Sequence, residues 1–328
     1  MKVLVTGAAG FLGARLAREL LKIREFEGQT IEHLTLADLY LPPSDLLADP
    51  RVSGCTGTLL SQAAILGSEN YDLVFHLAGA VSAECEADFD LGLRSNLDST
   101  RALLDALRAA GNVPRFIFSS SLAVFGSDPA LPMPAIIRDD TLPTPQSSYG
   151  IQKFICEQLV ADYTRKGFID GRNVRLMTVV VRPGRPNGAA SGFMSGIIRE
   201  PVNGQESICP VAPETRVALS SPARTIQGLI AIAQASREAL GGRTAINLPA
   251  LTVSVAAMLH ALEVAAGPEV RALVTFQQNP TISRLVTGWP AAFDNSRAHL
   301  LGLDPDPDFL SIVRQYLDDR AQQTATRS

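Results

Sequence analysis

In MKVLVTGAAGFLG, a short apolar run from Lys2 to Thr6 stops at three glycines, Gly7, Gly10 and Gly13. The segment from Gly13 to Arg24 then places Leu16, Leu20, Leu21 and Ile23 at helical spacing. Strand, tight turn and helix in that order constrain the chain more than any other feature, because a helix that follows a parallel strand crosses back over its sheet with a fixed hand. The pattern recurs. Apolar runs at Leu34 to Ala37, Leu73 to Leu77, Phe116 to Phe118 and Leu176 to Val181 are separated by helical patterns such as Thr100 to Ala110 and Tyr149 to Tyr163. The predicted class is α/β, a doubly wound parallel-sheet Rossmann fold covered by helices on both faces.

The glycines have a chemical reading. At the end of a first strand they let the backbone turn tightly and approach a pyrophosphate, which sits at a helix amino terminus where free N–H groups and the dipole favour negative charge. The spacing G-x-x-G-x-x-G is a variant of the dinucleotide fingerprint, and taken alone it also suits an ordinary turn. Asp38, at the end of the second predicted strand, is placed to accept hydrogen bonds from a ribose hydroxyl and to repel the extra phosphate of NADP. Leu39 and Tyr40 offer no arginine to neutralise that phosphate, so NAD is the expected cofactor. Asp38 also suits a strand-end turn, though less well.

After Val181 the texture changes, since RPGRPNGAASG breaks the regular alternation with prolines and glycines. Pro222 to Leu240 reads as a helix and Thr244 to Leu248 as a strand. The expected organisation is therefore an NAD-binding Rossmann domain of residues 1–181 and 222–249, with a smaller substrate-binding lobe, built from the C-terminal part, of residues 182–221 and 250–328. The polar tail from Ala321 to Ser328 is expected to fray.

Charge excludes two classes of partner. With 33 acidic against 29 basic residues the net charge is -4, so no basic field attracts nucleic acid or an anionic membrane. No run of about 18 uncharged apolar residues occurs, and the amino terminus lacks a leader pattern, which together predict a cytoplasmic protein. Cys55, Cys85, Cys156 and Cys209 are scattered without a CxxC pair or a histidine cluster, and they read as free thiols with no bound metal.

In SSYGIQKF, Tyr149 and Lys153 stand four apart and share one helical face. RFIFSSSLAVFG runs a buried strand into serines, Ser121 among them, at the end where ligands meet an open parallel sheet. Singly, these features suit surface decoration and turn chemistry. Together with TGAAGFLG, Asp38, HLAG from His76, Asn96, Ser121 ahead of VFG, and RPG at Arg182, they resemble the extended branch of the short-chain dehydrogenase/reductase superfamily, the NAD-dependent epimerase/dehydratase family. The likeness is dense over roughly the first 185 residues and loose thereafter.

That resemblance implies that Tyr149 is the acid/base, that Lys153 binds the nicotinamide ribose and lowers the phenol pKa, and that Ser121 holds the reacting oxygen. It implies cofactor contacts from Gly7, Gly10, Phe11, Leu12, Gly13, Asp38, Leu77, Ala78, Gly79, Asn96, Ser119, Tyr149, Lys153 and Pro183, with Asn96 equally suited to a structural place in its helix. Gly57-Thr58-Leu59 departs from the pattern, because the branch often carries an acidic residue there for adenine. The wording from Arg182 to Val211, with LPALTVSV and FDNSRAHLLGL, is similar to members that oxidise the 2-hydroxyl of a four-carbon sugar acid, D-erythronate, with NAD.

A small acid needs something to hold its carboxylate. Arg185, Asn187, Ser191 and Ser82 are the candidates, with Ser121 and Tyr149 on the reacting alcohol. Arg182 and Arg185 equally suit loop stabilisation, and Asn187 a turn. Three other readings stay open: a nucleotide-sugar epimerase or dehydratase that keeps its NAD, a uronate-type dehydrogenase, and a cofactor-binding regulator, the last opposed by the intact serine, tyrosine and lysine. The resemblance also implies a homodimer through the helix of Tyr149.

Overall fold

The computed structural model describes residues 1–184 and 191–325. Seven strands form one parallel sheet: β1 (Lys2–Thr6), β2 (His33–Asp38), β3 (Val52–Thr56), β4 (Leu73–His76), β5 (Arg115–Ser121), β6 (Asp170–Leu176) and, after two short strands of a second sheet, β7 (Thr178–Val179) and β8 (Arg216–Ser220), the edge strand β9 (Ile246–Asn247). Their spatial order is β9-β6-β5-β4-β1-β2-β3. Order reverses between β1 and β4, and a crevice opens there at the carboxyl ends of the strands.

β1 shows why the strands read as unbroken apolar runs. Val3 and Val5 join the core on one face, with Leu16 and Leu20 of α1 (Phe11–Ile23) and Ile226, Leu229 and Ile232 of α6 (Pro222–Gln234). Leu4 points the other way. It packs with Leu66 of α2 (Leu59–Gly67), Leu103, Leu104 and Leu107 of α3 (Ser99–Ala110), and Cys156 and Val160 of α4 (Ser148–Arg165). Both faces of the sheet are thus covered, as the alternation of strands and helices predicts.

The fifth expected strand differs. The sequence points to Leu176–Val181, yet the strand that joins the sheet is Asp170–Leu176, with Arg172, Asn173 and Arg175 all buried. These polar side chains are tolerated because each has a partner inside. Arg175 pairs with Glu157, Arg172 donates to the Ile232, Ala233 and Ala235 carbonyls, and Asn173 donates to the Glu157 carbonyl. The expected helix from Pro222 to Leu240 is also two pieces, since α6 ends at Gln234 and Ser236 caps a separate turn.

A second core gathers Val180 and Val181, Met194, Ile197 and Ile198 of α5 (Gly192–Val202), Val217 and Leu219 of β8, Met258, Leu259 and Leu262 of α7 (Val255–Ala266), and Ile312 and Val313 of α8 (Phe309–Ala325). Its three-stranded sheet has the order β10-β8-β7, where β10 is Leu251–Ser254. All four cysteines are free thiols. No helix among the described residues is long and apolar enough to cross a membrane.

Candidate active site

Two of the three glycines are required by the geometry of the crevice. Gly7 has φ +72°, and a Cβ on it would lie 2.7 Å from the Ala78 nitrogen; one on Gly13 would lie 2.2 Å from the Gly7 carbonyl oxygen. The strand, the turn and the following helix therefore touch backbone to backbone. Gly10 caps α1 without a side-chain hydrogen bond, so the N–H groups of the first turn face the crevice with no side chain of the cap on them. Beside this loop, the half-buried Asp38 accepts from the Ala9 N–H at 2.9 Å and from the Tyr40 N–H at 3.1 Å.

A cavity of about 290 Å³ extends from the glycine loop past Ser119, Ser120 and Ser121 to Tyr149 and Lys153, and on to Met177, Thr178, Arg182, Ser191 and Trp289. Sequence places Tyr149 against Ser121 through its neighbour. A Cβ on Gly150 would come within 2.1 Å of the Ala123 carbonyl oxygen, so only glycine lets the first turn of α4 rest on the 3-10 turn Leu122–Val124 that follows Ser121. Ser147 caps that helix, accepting from the Gly150 N–H.

Lys153 lies buried on the same helical face, donating from Nζ to the Ser119 carbonyl at 2.8 Å, with Nζ 4.9 Å from the centroid of the Phe118 ring. Burial pulls its pKa down to about 8. Burial also pushes the Tyr149 phenol up to about 12, opposed by a hydrogen bond with Ser121 and by the charge of Arg182. Lys153 Nζ lies 5.7 Å from the centroid of the Tyr149 ring, and in the protein alone desolvation outweighs the groups that favour the phenolate.

Beneath the cavity a buried polar chain ties the elements together. Thr100 donates to the Asn96 carbonyl and so accepts from His76 Nε2, at 2.8 Å, while His76 Nδ1 meets Thr6 Oγ1 at 2.7 Å. Burial drives the imidazole pKa down to about 3, so the ring is neutral. Asn96, in the π-helical turn Leu93–Asp98, accepts from the Ala80 N–H and donates to Gln152 of α4.

The expected site residues divide as follows. Gly7, Gly10, Phe11, Leu12, Gly13, Leu77, Gly79, Ser82, Ser119, Ser121, Tyr149, Lys153 and Ser191 all line the cavity. Asn96 supports the Ala80 loop from below, and Ala78 donates its N–H to Thr6. Pro183 lines a neighbouring cleft with Arg15 and Tyr316. Arg185 and Asn187 fall outside the described residues. Thr58, part of the Gly57-Thr58-Leu59 departure from the family pattern, caps α2, accepting from the Ser61 N–H. Arg182 and Trp289 were missed as parts of the cavity, and Gly150 as the residue that lets α4 rest against Ala123.

The profile of the NAD dependent epimerase/dehydratase family matches residues 3–215. The chain belongs to that family. It is 46% identical to D-erythronate dehydrogenase of Cupriavidus necator, over 97% of this chain and 98% of that protein. It is 41% identical to D-erythronate dehydrogenase of Haemophilus influenzae, over 97% of this chain and 99% of that one. Among solved structures, the nucleoside-diphosphate-sugar epimerase of Agrobacterium tumefaciens superimposes with a TM-score of 0.89 at 39% identity, covering 98% of this chain and 95% of that chain.

The residues present fit the NAD of an epimerase/dehydratase-family protein. A cradle that a Cβ on Gly7 or Gly13 would destroy, and a helix amino terminus with no side-chain cap, suit a pyrophosphate; the carboxylate beside them suits ribose hydroxyls. Replacing Asp38 with alanine should lower the ratio of kcat/KM for NAD over NADP by on the order of 10-fold or more, the value of charged hydrogen bonds to a sugar. Steady-state kinetics with both nucleotides measures this, and an unaltered ratio would leave the carboxylate no part in cofactor choice.

Proposed function

We propose that the protein oxidises the 2-hydroxyl of a small sugar acid, D-erythronate, to the 2-oxo acid. What carries this reading is the likeness, over nearly the whole chain, to two proteins named D-erythronate dehydrogenase. The cavity supports it with a cation for the acid group. Arg182 lines the same space as Tyr149 and Ser121, and among the described residues it has no acidic partner, only a long contact of 3.4 Å to the Ser191 hydroxyl. A guanidinium held in that way suits a carboxylate bidentately.

The glycine loop and Lys153 would hold NAD, which would serve as the hydride acceptor. In our reading Ser121 and Tyr149 receive the substrate hydroxyl, Tyr149 takes its proton as the carbon loses hydride, and Arg182 with Ser191 fixes the carboxylate so that carbon 2 faces the cofactor. In this reading residues 1–181 and 222–249 would carry NAD together with Ser121 and Tyr149, and the lobe of residues 182–221 and 250–328 would complete the acid's pocket. Arg182→Met should raise KM for the acid by on the order of 10–100-fold, the scale of hydrogen bonds to a charged group, while the affinity for NAD stays within about twofold. Substrate titrations at fixed NAD read this, and an unchanged KM would move the carboxylate elsewhere.

The decisive assay follows NADH absorbance with a panel of aldonic and uronic acids. Release of NADH with D-erythronate supports the dehydrogenase. No release together with conversion of a UDP-sugar would favour the second reading, an epimerase that retains its cofactor, to which the name of the Agrobacterium structure points. The free thiols suit a reducing compartment, and we place the enzyme in the cytoplasm. Ile151 and Ile155, exposed one turn apart on α4, give an apolar stripe suited to a homodimer, which light scattering tests.

A further inference from the structure

Trp289 is the only tryptophan of the chain and lines the cavity that holds Tyr149, Ser121 and Arg182. It reaches that place on a segment tied down on both sides. The Ala291 carbonyl accepts from Thr252 at 2.7 Å, and Asn295 exchanges two hydrogen bonds with the backbone of Ala250, both on the side of the second core. The same segment is also tied to the loop of Ile137: the Ala292 carbonyl accepts from the Ile137 N–H at 3.0 Å, Asp294 donates its N–H to the Ile137 carbonyl at 2.8 Å, and the Phe293 ring meets that of Phe125 edge to face at 6.1 Å. A wall bonded on two sides does not withdraw to admit a larger ligand.

The indole packs with Leu122, Met177, Ala218 and Ala250. Of these, Leu122 and Met177 also line the cavity, so with the indole they give it an apolar surface beside the serines, Tyr149 and Arg182. A short acid places its carboxylate and its reacting hydroxyl on the polar groups and has little left over. Each further carbinol carbon of a longer acid would be pressed against this apolar surface, where, among the described residues, the indole, Leu122 and Met177 offer its hydroxyl no acceptor in place of water.

We propose that Trp289 sets the length of the acid that is oxidised, by closing the cavity beyond a short chain. This rests on the dehydrogenase reading given above. The test uses the full-length protein, Trp289→Ala and Trp289→Phe, with NAD and four-, five- and six-carbon aldonic acids of one configuration at carbon 2. Wild type should prefer the shortest. Trp289→Ala should raise the six-carbon to four-carbon ratio of kcat/KM by on the order of 10-fold or more, the scale at which a hydrophobic pocket discriminates a single carbon, and Trp289→Phe should stay near wild type.

A binding readout needs no turnover. With NADH present, the tryptophan emission of wild type should change on titration with the four-carbon acid at lower concentrations than with the six-carbon acid. A ratio unchanged in Trp289→Ala that still binds NADH overturns the proposal, and so does emission that a saturating four-carbon acid leaves unmoved, however the variant folds. Wild type that oxidises acids of every length alike defeats this inference alone, whereas wild type that oxidises none defeats it together with the dehydrogenase reading.

Discussion

Tyr149→Phe is expected to lower kcat for the oxidation by roughly 10²–10⁴-fold, the range general acid–base catalysis supplies, while NADH binding stays within about twofold. The substitution removes one oxygen and leaves the ring, so the packing of α4 on the Leu122–Val124 turn survives. With the phenol pushed up to about 12 by burial, its base form is scarce at neutral pH in the protein alone. The sign follows directly. A base that must first lose its proton becomes more abundant as pH rises, so the wild-type oxidation rate should climb with pH, and the climb should vanish in the variant. A pH series of kcat/KM beside NADH fluorescence titrations measures both. Turnover of the phenylalanine variant at the wild-type rate would remove the phenol from the chemistry.

Glu157→Ala should cost about 3–5 kcal/mol of stability, because it strands a buried guanidinium. Glu157 sits one turn beyond Lys153 on α4, almost wholly buried. Arg175 of β6 donates to its two oxygens at 2.9 and 2.7 Å, Ser120 donates to one of them, and the guanidinium lies 4.8 Å from the centroid of the Phe125 ring. Removing the carboxylate leaves the cation among aromatic and aliphatic neighbours and frees the serine next to Ser121. Glu157→Leu combined with Arg175→Met should recover most of the loss, since an apolar pair in place of a buried ion pair is often neutral or better. Urea unfolding of the three proteins reads the difference; a single-variant loss below about 1 kcal/mol would mean that Arg175 finds another acceptor.

The doubly wound sheet and the glycine loop were legible because each leaves a local mark, an apolar run or a glycine where no side chain fits. Ser121, Tyr149 and Lys153 were legible as residues of one cavity for a related reason: the proposed chemistry calls for those side chains, and two of them sit one helical turn apart. β6 was not. Its stretch, DGRNVRL, has almost no apolar content, and what makes it a strand is Glu157 and the end of α6, neither of them within its own window of sequence. Arg182 looked like a loop residue and Trp289 like part of a distant lobe, because membership of a cavity depends on contacts over more than a hundred residues. Gly150 was visible as part of YGIQK, yet the carbonyl it must pass, that of Ala123, is fixed by folding alone.

The arrangement around Arg172 bears on biosynthesis. Its guanidinium, sealed within the protein, is neutralised in part by Asp170 and otherwise by the last carbonyls of α6, some sixty residues downstream. While a nascent chain has been translated only as far as β6, that charge has no helix end to meet and the strand has no β9 beside it. The sheet is therefore finished late, and until residue 247 has left the ribosome its growing edge is one that a chaperone, or another unfinished copy, is free to occupy.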